Sequence, residues 1–238
     1  MNAQNKILFC CEAGDHIGGG HLIRCLTLAY ALKDKGYECS FLCNGQAWEF
    51  PALTNSGFSK AEPDSLGEKS FFAVVFDDYH MNFREEEKFR PYCDYIVVID
   101  DLADRKHECD LLFDYSPSRN ANDYKDLVPE HAQIFTGLEF FIAREEFFEL
   151  AGVNENKNKS ETLDIFLSMG SIDGRQLLPK IVKILDENAQ SFNLHIMVTD
   201  KTKTLAELED IAPQSNHKIL IHKNIPSPAQ LMNKSDLA

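Results

Sequence analysis

KILFCCEAGDHIGGGHLIRCLTLAYALKDKGYECSFLC, residues 6–43, decides the fold. It opens on Lys6 to Cys11, an apolar run without polar alternation, which is how a strand buried on both faces reads. The glycine-rich segment Glu12 to Gly20 leads into Leu22 to Lys35, where Leu22, Cys25, Leu26, Ala29 and Leu32 recur at helical spacing. Lys33 and Lys35 in the last turn and Gly36 just after it mark the helix end. Tyr37 to Cys43 is the next apolar strand. Strand, loop, helix and strand in this order form the unit of a parallel sheet with helices on its faces.

The same rhythm continues outward. Phe71 to Phe76, Tyr95 to Ile99 and Asp110 to Phe113 read as further short buried strands. GVNENKNKSET, residues 152–162, has almost no apolar content and is the expected linker between a first domain, residues 1–151, and a second, residues 163–238. In the second, strands are expected at Leu163–Ser168, Asn193–Val198 and Lys218–Ile221, and helices at Leu177–Asn188, Thr204–Ile211 and Pro228–Lys234. The expected class is α/β, two doubly wound Rossmann-like domains. Asp236 to Ala238 fall where a further strand is due, so the second domain is read as cut short.

Composition narrows the function classes. The 238 residues are 44% hydrophobic and 26% charged, a balance that supports a packed core. A net charge of −14 and a pI near 5.0 oppose nonspecific attraction to nucleic acid or to an anionic membrane. The start, MNAQNKILFCCEAG, has neither a signal-peptide pattern nor a membrane-spanning length of apolar residues, so a cytoplasmic protein is expected. Seven cysteines without CxxC spacing argue against a disulfide framework and a structural zinc site, and most are expected to be buried.

Chemistry concentrates in GDHIGGGHLIRC, residues 14–25. Between a strand and a helix, Gly18, Gly19 and Gly20 let backbone approach a ligand, and the helix amino end offers free amides and partial positive charge to phosphate. The bland alternative for the glycines is a tight strand-to-helix turn. His21 follows at the carboxyl end of a strand, where open α/β sheets bind ligands. There a neutral imidazole can accept a proton, and the bland alternative is a histidine that caps its helix. Two other strands end in Asp77-Asp78, before Tyr79-His80, and in Asp100-Asp101. These pairs suit orienting a base, binding sugar hydroxyls, holding a divalent metal, or simply capping loops. SMGSID, residues 168–173, repeats the strand-then-glycine arrangement ahead of a helix and fits a nucleotide loop or a plain turn. His16, His107, His131, His195, His217 and His222 lack ligand spacing and are expected to be structural or solvated.

GGGHLIRCLTLAYAL (18–32), VVFDDY (74–79), VVIDDLADRKHECDLLFD (97–114), DYKDLVPE (123–130), FIAREEF (141–147) and SMGSID (168–173) together resemble successive blocks of a known family. They are similar to the UDP-2,4-diacetamido-2,4,6-trideoxy-β-L-altropyranose hydrolases of pseudaminic acid biosynthesis and to related spore-coat polysaccharide proteins. The resemblance implies the GT-B type of two-domain fold, shared with a large class of nucleotide-sugar glycosyltransferases. It implies a UDP-sugar substrate, attack of water at the anomeric carbon with inversion, and no cofactor or metal. His21 corresponds to the catalytic histidine and Tyr79 to an active-site tyrosine. Gly18, Gly19, Gly20, Arg24, Asp78, Tyr79, Gly170 and Ser171 are the expected substrate-binding residues. This chain departs from the family at Cys10 and Glu12, where Arg-x-Asp is common, and at Gly170-Ser171, where two glycines usually stand. A glycosyltransferase of the same fold and an inactive nucleotide-sugar-binding fragment remain alternative readings.

Overall fold

The structure, a computed structural model, describes residues 5–151 and 162–238, so most of the expected linker lies outside the described residues. Two compact units divide between Ala143 and Arg144. The first contains β1 (Lys6–Cys11), α1 (Gly20–Asp34), β2 (Glu38–Cys43), α2 (Pro51–Thr54), β3 (Ser59–Lys60), β4 (Phe71–Asp77), α3 (Phe83–Glu87), β5 (Cys93–Ile99), β6 (Leu111–Asp114) and β7 (Gln133–Thr136). The second contains α4 (Glu145–Leu150), β8 (Leu163–Ser168), α5 (Leu178–Leu185), β9 (Phe192–Val198), α6 (Leu205–Ile211), β10 (Lys218–Lys223) and α7 (Ala229–Lys234).

The first unit is a parallel sheet in the order β3-β2-β1-β4-β5-β6-β7. The chain runs outward from β1 to β3, then crosses back to β4 on the other side of β1. The order therefore reverses between β1 and β4, and the carboxyl ends of these two strands form the switch point where such sheets bind ligands. Alternation along each strand feeds two cores. Ile7, Phe9 and Cys11 of β1, Ala73 and Val75 of β4, and Val97 and Ile99 of β5 pack with Leu22, Cys25, Leu26 and Ala29 of α1. Leu8, Cys10, Val74, Phe76, Ile96 and Val98 pack on the opposite face around Leu112 and Tyr124. Burial on both faces is what the uninterrupted apolar strands required.

The second unit holds a parallel sheet in the order β10-β9-β8, with Ile165, Leu194, Ile196 and Val198 packed on Leu178 and Val182 of α5 and Leu208 of α6. Leu237 pairs in parallel with Ile165, and its carbonyl accepts from the Phe166 amide at 2.8 Å, so the residues expected to begin a strand do lie beside β8. Helix α4 packs against α7, and Arg144 donates to the Pro226 carbonyl, which is why the division falls ahead of residue 152. Sequence reading located eight of these strands, with shifted ends, and did not anticipate β3 and β7.

All seven cysteines are free thiols and all but Cys43 are buried. Among the described residues no helix is long and apolar enough to cross a membrane.

Candidate active site

The loop from β1 to α1 is built by its glycines. Gly14 and Gly18 pair backbone to backbone at 2.7 and 3.0 Å, and Gly18 needs its φ of +81° to close that turn. A side chain at Gly20 would meet nothing within 4 Å, while one at Gly19 would meet the Phe50 ring at 3.0 Å, so the amino end of α1 is open on the Gly20 side. The N-cap residue, Gly19, brings no side chain to the first-turn amides and the first turn holds no acidic residue, which suits an anion.

His21 and Arg24 stand one turn apart on the α1 face that packs toward β4, and Asp77 at the end of β4 lies beneath both. Asp77 is fully buried, and its Oδ1 is 2.5 Å from His21 Nδ1. Arg24 donates through Nε to Asp77 Oδ2 and through Nη2 to Asp77 Oδ1 at 2.6 Å. Cys25 Sγ adds a weak donor at 3.6 Å. Arg24 Nη2 also lies 3.0 Å from His21 Nδ1, but two donors cannot share that line. With Arg24 serving the carboxylate, His21 Nδ1 carries the proton toward Asp77, and Nε2 keeps its lone pair.

Asp101, at the end of β5, completes the group. Its Oδ2 accepts from Arg24 Nη1 at 3.2 Å, and the same nitrogen donates to the Tyr115 hydroxyl at 2.8 Å. The Tyr79 ring stands edge-on to His21 with centroids 4.4 Å apart. Burial and the negative charge of nearby Asp101 push the Tyr79 phenol up to about 12, so it keeps its proton at neutral pH. Burial works against the charge on Arg24, but Asp77 outweighs it and holds the guanidinium protonated.

The expected site residues thus fall into two groups. His21, Arg24, Tyr79 and the three glycines gather at the carboxyl ends of β1 and β4. Asp78 points away from His21: its Oδ1 accepts from the His80 amide at 2.7 Å, and His80 Nδ1 lies 3.1 Å from Glu12. Glu12, Asp78 and His80 offer ligand atoms within 4.8 Å of one another, a spacing that a metal ion could use and that the His80–Glu12 contact already accounts for. Gly170 and Ser171 lie in the second unit after β8. There Asp173 accepts from the Leu177 and Leu178 amides at 2.8 and 3.2 Å and from the Thr204 hydroxyl, so the amino end of α5 is capped internally. Sequence reading named Asp78 and not Asp77 among the site residues, and did not name Tyr115. The signal was in the alternation, since Ala73, Val75 and Asp77 share the face that packs on α1.

A second buried charge cluster supports the site from below. Asp100 accepts from the amides of Leu102 and Ala103, from Arg105 and from Tyr124, which also reaches Asp114 at 2.8 Å. His107 Nδ1 meets Glu86 at 2.7 Å, while its Nε2 lies 3.7 Å from Asp100, a charge contact too long for a hydrogen bond. Burial works against the charge on Asp100, but His107, the Ala103 amide and Tyr124 outweigh it and hold the carboxyl well below the usual range. Burial also opposes a charged His107, and Asp100 and Glu86 outweigh it and raise the imidazole. A carboxyl held low stabilises the fold above its unfolded value of about 3.9 and loses that contribution as pH falls; an imidazole held high stabilises below about 6.5 and loses it as pH rises through the folded-state value. The cluster therefore contributes fully between about pH 4 and about pH 6.5. In urea unfolding, the gap between wild type and His107→Gln should be widest there and shrink above it. A gap that stays constant into the alkaline range would mean that His107 is neutral in the fold.

Comparison with known proteins bears on this geometry. No family model matches the chain. It is 26% identical over 236 residues to the UDP-2,4-diacetamido-2,4,6-trideoxy-β-L-altropyranose hydrolase of Campylobacter jejuni, covering 97% of this chain and 82% of that protein. The resemblance read from the sequence is supported. The chain is also 24% identical over 264 residues to the uncharacterized protein MJ1062 of Methanocaldococcus jannaschii, of which it spans 51%. Among solved structures, the crystal structure of Acinetobacter baumannii MurG matches with a TM-score of 0.59 at 12% identity, covering 98% of this chain and 72% of that one. The two-sheet α/β fold of the GT-B type is therefore observed, and at that identity the likeness to MurG speaks for the fold alone.

Proposed function

We propose that this protein hydrolyses a UDP-linked diacetamido-trideoxy sugar at its anomeric C–O bond, releasing UDP and free sugar with inversion, as a step of pseudaminic acid biosynthesis. The observation that carries the reading is the buried His21–Asp77 pair beside the glycine-led amino end of α1 at the switch point of the sheet. Similarity to the Campylobacter hydrolase along nearly the whole chain supports the choice of substrate class.

Asp77 fixes the imidazole with its proton on Nδ1, so Nε2 accepts a proton from water as the water oxygen bonds to the anomeric carbon. The electron pair of the breaking C–O bond passes to the diphosphate oxygen of UDP. Free amides and the partial positive charge at the start of α1 stabilise that oxygen, which needs no proton to leave. Tyr79 hydrogen-bonds a sugar hydroxyl or acetamido oxygen while its ring packs on the sugar.

Transfer of the sugar to an acceptor hydroxyl would use the same base and leaving group, and the GT-B fold serves both. Incubation with UDP-sugars, with and without added acceptors, separates the two by following UDP, free reducing sugar and sugar conjugate. Sugar release that does not depend on acceptor is expected; UDP formation only when an acceptor is present would replace hydrolysis by transfer. Tyr79→Phe loses one hydrogen bond, worth about 0.5–1.5 kcal/mol, so KM for the sugar nucleotide should rise about 2- to 12-fold. UDP affinity should stay near wild type, and an equal loss for UDP alone would remove Tyr79 from the sugar pocket.

A further inference from the structure

We propose that Arg24 is a positioning residue that fixes the His21–Asp77 pair, in place of the substrate contact that its position in the sequence invites. The inference rests on the reading of His21 as proton acceptor. Its basis is where the guanidinium hydrogen bonds go. Nε and Nη2 grip both oxygens of Asp77, and Nη1 reaches Asp101 and the Tyr115 hydroxyl. The Tyr115 ring lies 5.7 Å from the guanidinium carbon, and the Arg24 side chain is 14% exposed. Little of the fork is left for a ligand.

Of the two carboxylates that Arg24 holds, Asp77 also receives His21 Nδ1. A planar guanidinium with donors at fixed angles can satisfy two carboxylates at once, and the point charge of a lysine cannot. Arg24 therefore fixes Asp77, and through it the angle of the imidazole. It also shares the negative charge of Asp77. Without it, Asp77 would stabilise an imidazolium at His21, and more of the base would be lost to protonation at a given pH.

The test uses the full chain with Arg24→Gln and Arg24→Lys, read by nitrogen NMR titration of His21, by the pH profile of sugar release, and by calorimetric titration with UDP. We expect Arg24→Gln to move the His21 titration and the acid limb of kcat/KM upward by about one pH unit or more. Turnover should fall on the order of 10- to 100-fold, because small misplacements of reacting groups cost that much. UDP affinity should change by less than about threefold, since no diphosphate contact is removed. Arg24→Lys should restore the titration of His21 through Asp77 and leave the turnover defect, because an ammonium cannot grip both oxygens of Asp77 and fix the angle of the imidazole.

An unchanged His21 titration in Arg24→Gln together with a large loss of UDP affinity would overturn the proposal and return Arg24 to the substrate contacts. If Arg24→Gln does not fold, Arg24→Lys decides alone, and wild-type turnover in it overturns the proposal. The NMR titration needs no turnover, so absence of sugar release from the wild-type chain would count against the hydrolase reading and leave the positioning role to be judged by the titration.

Discussion

Replacing His21 with asparagine should lower turnover about 10²- to 10⁴-fold, the usual cost of removing a positioned base. UDP affinity should hardly move, because the α1 amides proposed to hold the diphosphate are backbone groups that remain. Asparagine also keeps a donor toward Asp77, so the ion pair between Asp77 and Arg24 survives and the fold is not the variable measured. Initial rates of sugar release and a UDP titration on the same preparation check this. Turnover within a few-fold of wild type would end the assignment of His21 as the base.

The largest stability effect is expected at Asp77→Ala. Asp77 is fully buried and satisfies Arg24 twice, His21 once and Cys25 weakly. Its loss leaves a largely buried guanidinium with Asp101 and Tyr115 as partners, and breaking a buried pair from one side costs about 3–5 kcal/mol. Urea unfolding should show that loss, with Asp77→Asn in between because it keeps the shape and one acceptor oxygen. Activity should fall in both variants, since His21 loses the partner that fixes its tautomer. A variant as stable as wild type would show that Arg24 can be solvated where it stands.

Much of this fold was legible because strands buried on two faces leave long apolar runs that few other structures produce. β1, β4 and β5 are of this kind. β7 was not, since Gln133 to Thr136 is a short half-exposed edge strand whose identity depends on pairing with β6. The site divides in the same way. His21 and the glycines announced themselves through local chemistry, and Tyr79 through the resemblance. Of the pair Asp77-Asp78 the resemblance pointed to Asp78, and only the parity of the strand that carries them sends Asp77 to His21 and Asp78 to His80. Tyr115 gave no local sign, because its role exists only once β6 is laid beside β5 and Arg24 reaches across from α1.

The two glycine turns, so alike in sequence, differ in electrical sign. At the first, the N-cap of α1 is Gly19 and its first turn holds no acidic residue. At the second, Asp173 sits on the first amides of α5 as a resident anion, so its own negative charge cancels the field that the helix would otherwise project. A dianionic phosphate approaching the first turn meets attraction, and at the mouth of α5 it meets a charge of its own kind. Any grip that Gly170 and Ser171 exert on a nucleotide must therefore come from the loop backbone itself, or from groups uncharged enough to tolerate the aspartate beside them.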